Sequence, residues 1–261
     1  MALLARTEEG ATPCGVIYQI SPAPPSQTAF DGCECLTMRS RRERKPGPDI
    51  PEWGFIDAYA LIVDLNGFTS MVRSAEAKGG SAAQFVRDVL AGAIEEVEFH
   101  GGEVVGFMGD AILGVITSGE DVVSACFGIA DDLDRQCEYI SNAQRKSSDL
   151  FSLAPVGPSL KIAIEFGSLD VSSIESRLLG QQRLFVGTAI NHASRIAAAG
   201  VGNRCLVGPA AAREAFSSYG LEGPYSIVGK PGEPPYEYYN FSMGDVWIEG
   251  PREDGKDTSW R

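Results

Sequence analysis

The chain has 261 residues, 44% of them hydrophobic, with 35 Asp and Glu against 22 Lys and Arg, a formal net charge of −13. Such a composition supports one folded domain with extensions, or two small ones, and excludes wholesale disorder. The acidic balance argues against a protein that grips nucleic acid through its phosphates, which requires a basic surface. No stretch approaches the ~20 apolar residues of a membrane span, and Met1 to Gly10 lacks the basic-then-apolar order of a secretory signal. The expectation is a cytoplasmic protein with neither a membrane nor a nucleic-acid partner. Its six cysteines, Cys14, Cys33, Cys35, Cys126, Cys137 and Cys205, are scattered and read as free thiols. Cys33 and Cys35 have no second pair nearby, which favours loop cysteines over half of a metal site.

Residues 1–52 hold six prolines from Pro22 to Pro51 and the basic run Arg39 to Lys45. They read as an N-terminal extension, with the run as a solvated linker. Ala58 to Leu65 is a nearly continuous apolar run, the pattern of a strand buried on both faces, and Asn66-Gly67 ends it with a turn signal. Residues 81–99 place Phe85, Val86, Val89, Leu90, Ala93, Ile94 and Val97 at helical spacing, with Ser81 and Gln84 as a capping box. Two short apolar runs between Glu103 and Ile116 flank Met108-Gly109-Asp110, which predicts a β-hairpin with Gly109 and Asp110 at its tip. A second helix is expected over 120–143 and a Ser/Pro-rich loop over 146–158. Strand 160–166 follows, then a Gly-rich polar connector, strand 183–187, helix 189–199 ended by Gly200, and short strands at 204–207, 224–229 and 235–241. The tail, 243–261, is polar. The order β-α-α-β-β-α-β followed by β-α-β-β predicts an α+β, ferredoxin-like (βαββαβ) sheet with additional C-terminal elements and its helices on one face. The folded domain is expected over 53–242.

Two carboxylates stand out. Asp64 ends a buried strand, and Asp110 sits at a hairpin tip that would lie beside that strand. A carboxylate there is costly unless paired or metal-bound, and two converging ones suit hard divalent cations such as Mg²⁺ or Mn²⁺. Taken singly, each could simply cap its turn. Asn191 and Arg195 are four residues apart on one helix face, and their donors suit phosphate oxygens. A solvated helix face would look the same. With only His100 and His192 in the chain, multi-histidine catalysis is not expected.

These residues fall in a familiar pattern. Val63-Asp-Leu-Asn-Gly-Phe-Thr69 and Gly102-Glu-Val-Val-Gly-Phe-Met-Gly-Asp-Ala111 resemble the two metal motifs of the class III nucleotide cyclases. Phe185-Val-Gly-Thr-Ala-Ile-Asn-His-Ala-Ser-Arg-Ile196 resembles the segment that carries that family's transition-state Asn and Arg. Lys161 to Gly167 stands where the family has a strand ending in Gly. The resemblance implies that Asp64, Asp110 and the Leu65 carbonyl hold two divalent ions, Mn²⁺ or Mg²⁺. It also implies that Asn191 and Arg195 act from the opposite subunit of a homodimer.

The sequence departs from the family at the base-reading positions. A purine-reading Lys is replaced by Gly106, and an Asp or Cys by Leu184. The triphosphate-binding Lys is matched only by the displaced Lys230. A site that loses such partners loses discrimination for the base they read. The combination is similar to the pyrimidine-nucleotide cyclases of bacterial antiphage (Pycsar-type) signalling, which implies conversion of UTP to cUMP and a separate effector. Tyr59 and Phe68 are then candidates for stacking on the base, and Arg183 for donating to it. The alternatives are an adenylyl or guanylyl cyclase with an unusual pocket, or an inactive nucleotide-sensing dimerisation module. Diguanylate cyclase is disfavoured because Gly101-Gly-Glu-Val-Val105 lacks the Glu-Phe of that family's motif.

Overall fold

The computed structural model describes residues 50–66, 73, 83–146, 159–177, 180–199, 204–228 and 234–243. The extension up to residue 49, the tail from 244, Phe68, Ser81, Gly200 and Lys230 lie outside them.

Strand β1 (Gly54–Asn66) is buried without interruption from Ala58 to Val63, as its apolar run requires. It feeds helix α1 (Ala83–Phe99), the hairpin β2 (Glu103–Met108) and β3 (Ala111–Ile116), and helix α2 (Gly119–Lys146). Strand β4 (Ser159–Ser176), strand β5 (Gly180–Val186), helix α3 (Thr188–Ala199), strand β6 (Arg204–Val207), helix α4 (Pro209–Glu214), and strands β7 (Leu221–Ile227) and β8 (Tyr236–Phe241) follow among the described residues. The eight strands form one sheet in the order β2-β3-β1-β4-β6-β8-β7, with β5 pairing β4. Only β4 and β6 run parallel among these neighbours. Among the described residues, the first four strands and the helices α1 and α2 follow the expected βαββαβ order.

Alternation along β1 divides the core. Tyr59, Leu61, Val63 and Leu65 pack with Leu90, Ala93 and Val97 of α1 and Val122, Cys126 and Ile129 of α2. Ala58, Ala60 and Ile62 face the other way, onto Ala189, Ala193, Ile196 and Ala197 of α3. Helices therefore cover both faces, not one, because the all-buried run of β1 needs cover on each side. Burying a Leu or Ile of this core stabilises the fold by roughly 1.5–3 kcal/mol each. Cys126 and Cys205 are free, buried thiols.

Two further expectations are corrected. The connector after residue 166 is a hairpin: β4 continues to Ser176 and β5 returns along it, from Asp170 opposite Val186 to Ser176 opposite Gly180. Apolar alternation runs through Leu169 and Val171 and stops at Ser172 and Ser173, so the pattern does not mark the full length of the hairpin. Helix α4 has only six residues and Pro209 in its first turn, too short for sequence periodicity to mark. Its N-terminus is held from β4, where Glu165 Oε1 accepts the N–H groups of Ala210 and Ala211 at 3.1 and 3.0 Å.

Candidate active site

Asp64 lies on the α3 side of β1, directly opposite Ala111 of β3 and Lys161 of β4. The hairpin turns at Gly109 with φ of 70°, a conformation glycine adopts without strain, and this brings Asp110 to the end of β1. The backbone N–H of Leu65 donates to the Asp110 carbonyl at 3.3 Å. In an extended strand the carbonyl of a residue leaves the same edge as its N–H, so the Leu65 carbonyl also faces the tip. The Asp110 carboxyl is held above the usual carboxylate range. Burial is the main cause and the negative charge of Asp64 adds to it, while its own backbone N–H and Lys161 oppose the rise.

Two carboxylates thus share one corner of the sheet, and among the described residues their close counter-charge is the Lys161 ammonium, 3.0 Å from Asp64 Oδ2. Among the described residues no group of three or more His, Cys, Asp or Glu could hold a metal alone. Two carboxylates and a carbonyl nevertheless fit Mg²⁺ or Mn²⁺, which take oxygen donors and complete their shells with water and substrate phosphates. The destabilised negative charge at Asp110 is the local condition that a cation would relieve.

Asn191 and Arg195 ride on α3. Ala189, Ala193, Ile196 and Ala197 bury one stripe of this helix, and their small side chains let it lie close to the sheet. Gly187 permits its entry: a Cβ there would come 2.7 Å from the Ser168 carbonyl oxygen and from Leu169 Cδ2. Asn191 is exposed, and its N–H joins the helix by donating to the Gly187 carbonyl. One turn on, the Arg195 guanidinium lies over the ring of Tyr236 on β8, 5.4 Å from its centroid.

Within one chain the two halves are far apart. Asp64 is level with Lys161 and hence with Arg204, next to the pairing of Cys205 with Phe241. Tyr236 is the first residue of β8, about six residues away along the strand direction, or roughly 20 Å, and three strand spacings, about 14 Å, across the sheet. No arginine side chain bridges that gap. The chain alone does not bring Arg195 to the carboxylates.

The base-reading candidates divide differently. Gly106 follows a register shift in β2, and a Cβ built on it meets nothing within 4 Å. Nearby Phe107 and Met108 are exposed, as are Leu184 and Val186 of β5. Arg183 of β5 forms an ion pair with Glu103 of β2, tying these strands together; a guanidinium has five N–H groups, so the pair does not exhaust it. Tyr59 is corrected. It is 4% exposed, on the face opposite Asp64, with its ring 4.7 Å from that of its cross-strand partner Phe166. Period-two alternation places residues 59 and 64 on opposite faces, so Tyr59 stacks in the core and not on a nucleobase. Lys161 was not anticipated as a partner of Asp64. Its signal was the strand register, which the sequence alone does not supply.

No protein-family model matches the chain, and no curated protein matches it in sequence. Solved structures do. The guanylyl cyclase Cya2 superposes with a TM-score of 0.61 at 18% identity, covering 78% of this chain and 98% of that one. The adenylyl cyclase CyaB from P. aeruginosa gives 0.60 at 15% identity, covering 78% and 100%. The catalytic core of a rhodopsin-guanylyl cyclase with converted specificity, in complex with ATPαS, gives 0.55 at 14% identity, covering 74% and 99%. The chain has the fold of nucleotide cyclase catalytic domains.

Proposed function

We propose that this protein is a homodimeric nucleotide cyclase that converts a ribonucleoside 5′-triphosphate, most specifically UTP, to the 3′,5′-cyclic monophosphate and pyrophosphate. The observation that carries the reading is the division of the site: paired carboxylates at one corner of the sheet, and an amide and guanidinium on α3 beyond reach of them. A two-fold dimer closes that gap twice, with each subunit lending its α3 to the other's carboxylates. The exposed apolar side chains of Phe107, Met108, Leu184 and Val186 suit burial in such an arrangement.

Asp64, Asp110 and the Leu65 carbonyl would hold two divalent cations, which supply positive charge to acidify the ribose 3′-hydroxyl and to bind the triphosphate. The 3′-oxygen attacks the α-phosphorus in line, the bond to the pyrophosphate oxygen breaks, and the 3′ proton leaves to solvent. Arg195 from the partner subunit directs its planar N–H groups at the α-phosphoryl oxygens as charge builds on them, and Asn191 orients the ribose. Lys230 is the remaining triphosphate candidate.

Specificity for uridine rests on Gly106 and Leu184, which offer no charged group to a purine edge, with Arg183 as a donor and Phe68 as a stacking side chain. The product then acts as a second messenger in antiphage defence, read by a separate effector, in the cytoplasm. A second reading, an adenylyl or guanylyl cyclase, is favoured by the substrates named for the neighbouring structures. Turnover of UTP, CTP, ATP and GTP in parallel, with Mn²⁺ and product identification, separates them. Fastest formation of cUMP is expected; fastest cyclisation of ATP or GTP refutes the pyrimidine assignment, and no turnover of any triphosphate refutes the enzyme.

A further inference from the structure

Arg195 belongs to a stacked set of side chains that extends well beyond its own helix. Its guanidinium lies over the Tyr236 ring, 5.4 Å from the centroid. His192, one turn earlier on α3, meets the same ring edge-on, with centroids 5.0 Å apart and planes at 71°. His192 Nδ1 is 3.9 Å from Glu165 Oε2, and the other oxygen of that 3% exposed carboxylate is fixed by the N–H groups of Ala210 and Ala211. Tyr236 therefore has the His192 ring packed against its edge on one side, and it presents its face to the arginine.

A guanidinium on a flexible stem is an effective transition-state donor only when its plane is set before the reaction. An aromatic face supplies that setting through the attraction of its quadrupole for the cation, which acts within about 6 Å of the ring centroid. We infer that Tyr236 is a positioning residue for phosphoryl transfer, the shelf that aims Arg195 across the subunit boundary. The inference rests on the cyclase reading. Tyr236 touches no reacting atom in this account and acts only through Arg195.

The shelf needs an aromatic face and not a hydroxyl. Tyr236→Phe should retain kcat within about threefold, while Tyr236→Leu should lower kcat about tenfold with KM within about twofold, because an interaction made only in the transition state is weakened. Tyr236→Met replaces the leucine variant if that one does not fold, as judged by its thermal transition. Arg195→Ala is measured alongside. Loss of turnover in Arg195→Ala together with wild-type kcat in Tyr236→Leu overturns the shelf alone. So does an equal loss in the phenylalanine variant, or a rise in KM at unchanged kcat. Unchanged kcat in Arg195→Ala instead overturns the transition-state role of Arg195 on which the shelf depends, and a wild type without turnover overturns the cyclase reading itself.

Discussion

Replacing Lys161 with methionine removes the ammonium that sits 3.0 Å from Asp64 Oδ2 and keeps an apolar stem in a side chain that is 10% exposed. At an effective dielectric of ~20, two opposite charges at that spacing attract by about 5–6 kcal/mol before desolvation is subtracted. A divalent cation on the same carboxylate would lie about 4 Å from the ammonium and be repelled by roughly 8 kcal/mol on the same scale. Lys161 must therefore leave Asp64 when the cation arrives. Even from about 8 Å away in water, its charge would still oppose the ion by about 1 kcal/mol, a factor of about five in affinity. Lys161→Met should thus bind Mn²⁺ at least about fivefold more tightly than the wild type without nucleotide. Titration followed by the paramagnetic resonance of free Mn²⁺, at fixed ionic strength, measures this, with Asp64→Asn as the control that should not bind. Unchanged or weaker binding in a folded Lys161→Met protein would refute the competition between ammonium and cation.

Other outcomes follow from the same geometry. The Asp110 carboxyl is raised, first by burial and then by Asp64, so its contribution to stability is complete below about pH 4 and is lost as pH rises through the raised value. Metal-free Asp110→Asn should therefore melt higher than wild type near neutral pH, and the advantage should vanish in acid; a lower melting temperature at neutral pH would contradict this. Glu165 accepts three backbone N–H groups, from Phe166, Ala210 and Ala211. Glu165→Ala strands the buried Ala211 N–H and the part-buried N–H groups of Phe166 and Ala210 and should cost about 2–4 kcal/mol, read as a lower urea midpoint. No change would mean that water replaces the carboxylate.

The sequence carried the fold wherever an element buried a regular stripe. The run Ala58 to Leu65, the helical spacing from Val86 to Val97 and the Gly109-Asp110 turn each led to the observed element, because each pattern is the direct imprint of a buried face. What escaped was held by distant partners. Helix α4 depends on Glu165, and the outer part of the β4–β5 hairpin, beyond the buried pair of Val171 and Phe185, depends on strand pairing. The same division applies to the candidate site. Asp64 and Asp110 were legible as costly carboxylates at strand and hairpin ends. Their neighbour Lys161 came from register, Tyr59 was misassigned because its face was not counted against that of Asp64, and the aromatic ring under Arg195 comes from a strand 41 residues further on.

Subunit mixing tests the divided site most directly. Asp64→Ala and Arg195→Ala proteins, each inactive alone, are combined under conditions in which differently tagged subunits copurify. Random exchange makes about half the dimers mixed, each with one intact site of two, so activity should recover to about a quarter of wild type. A mixture that stays inactive despite proven exchange, or an Arg195→Ala protein active by itself, would contradict the account.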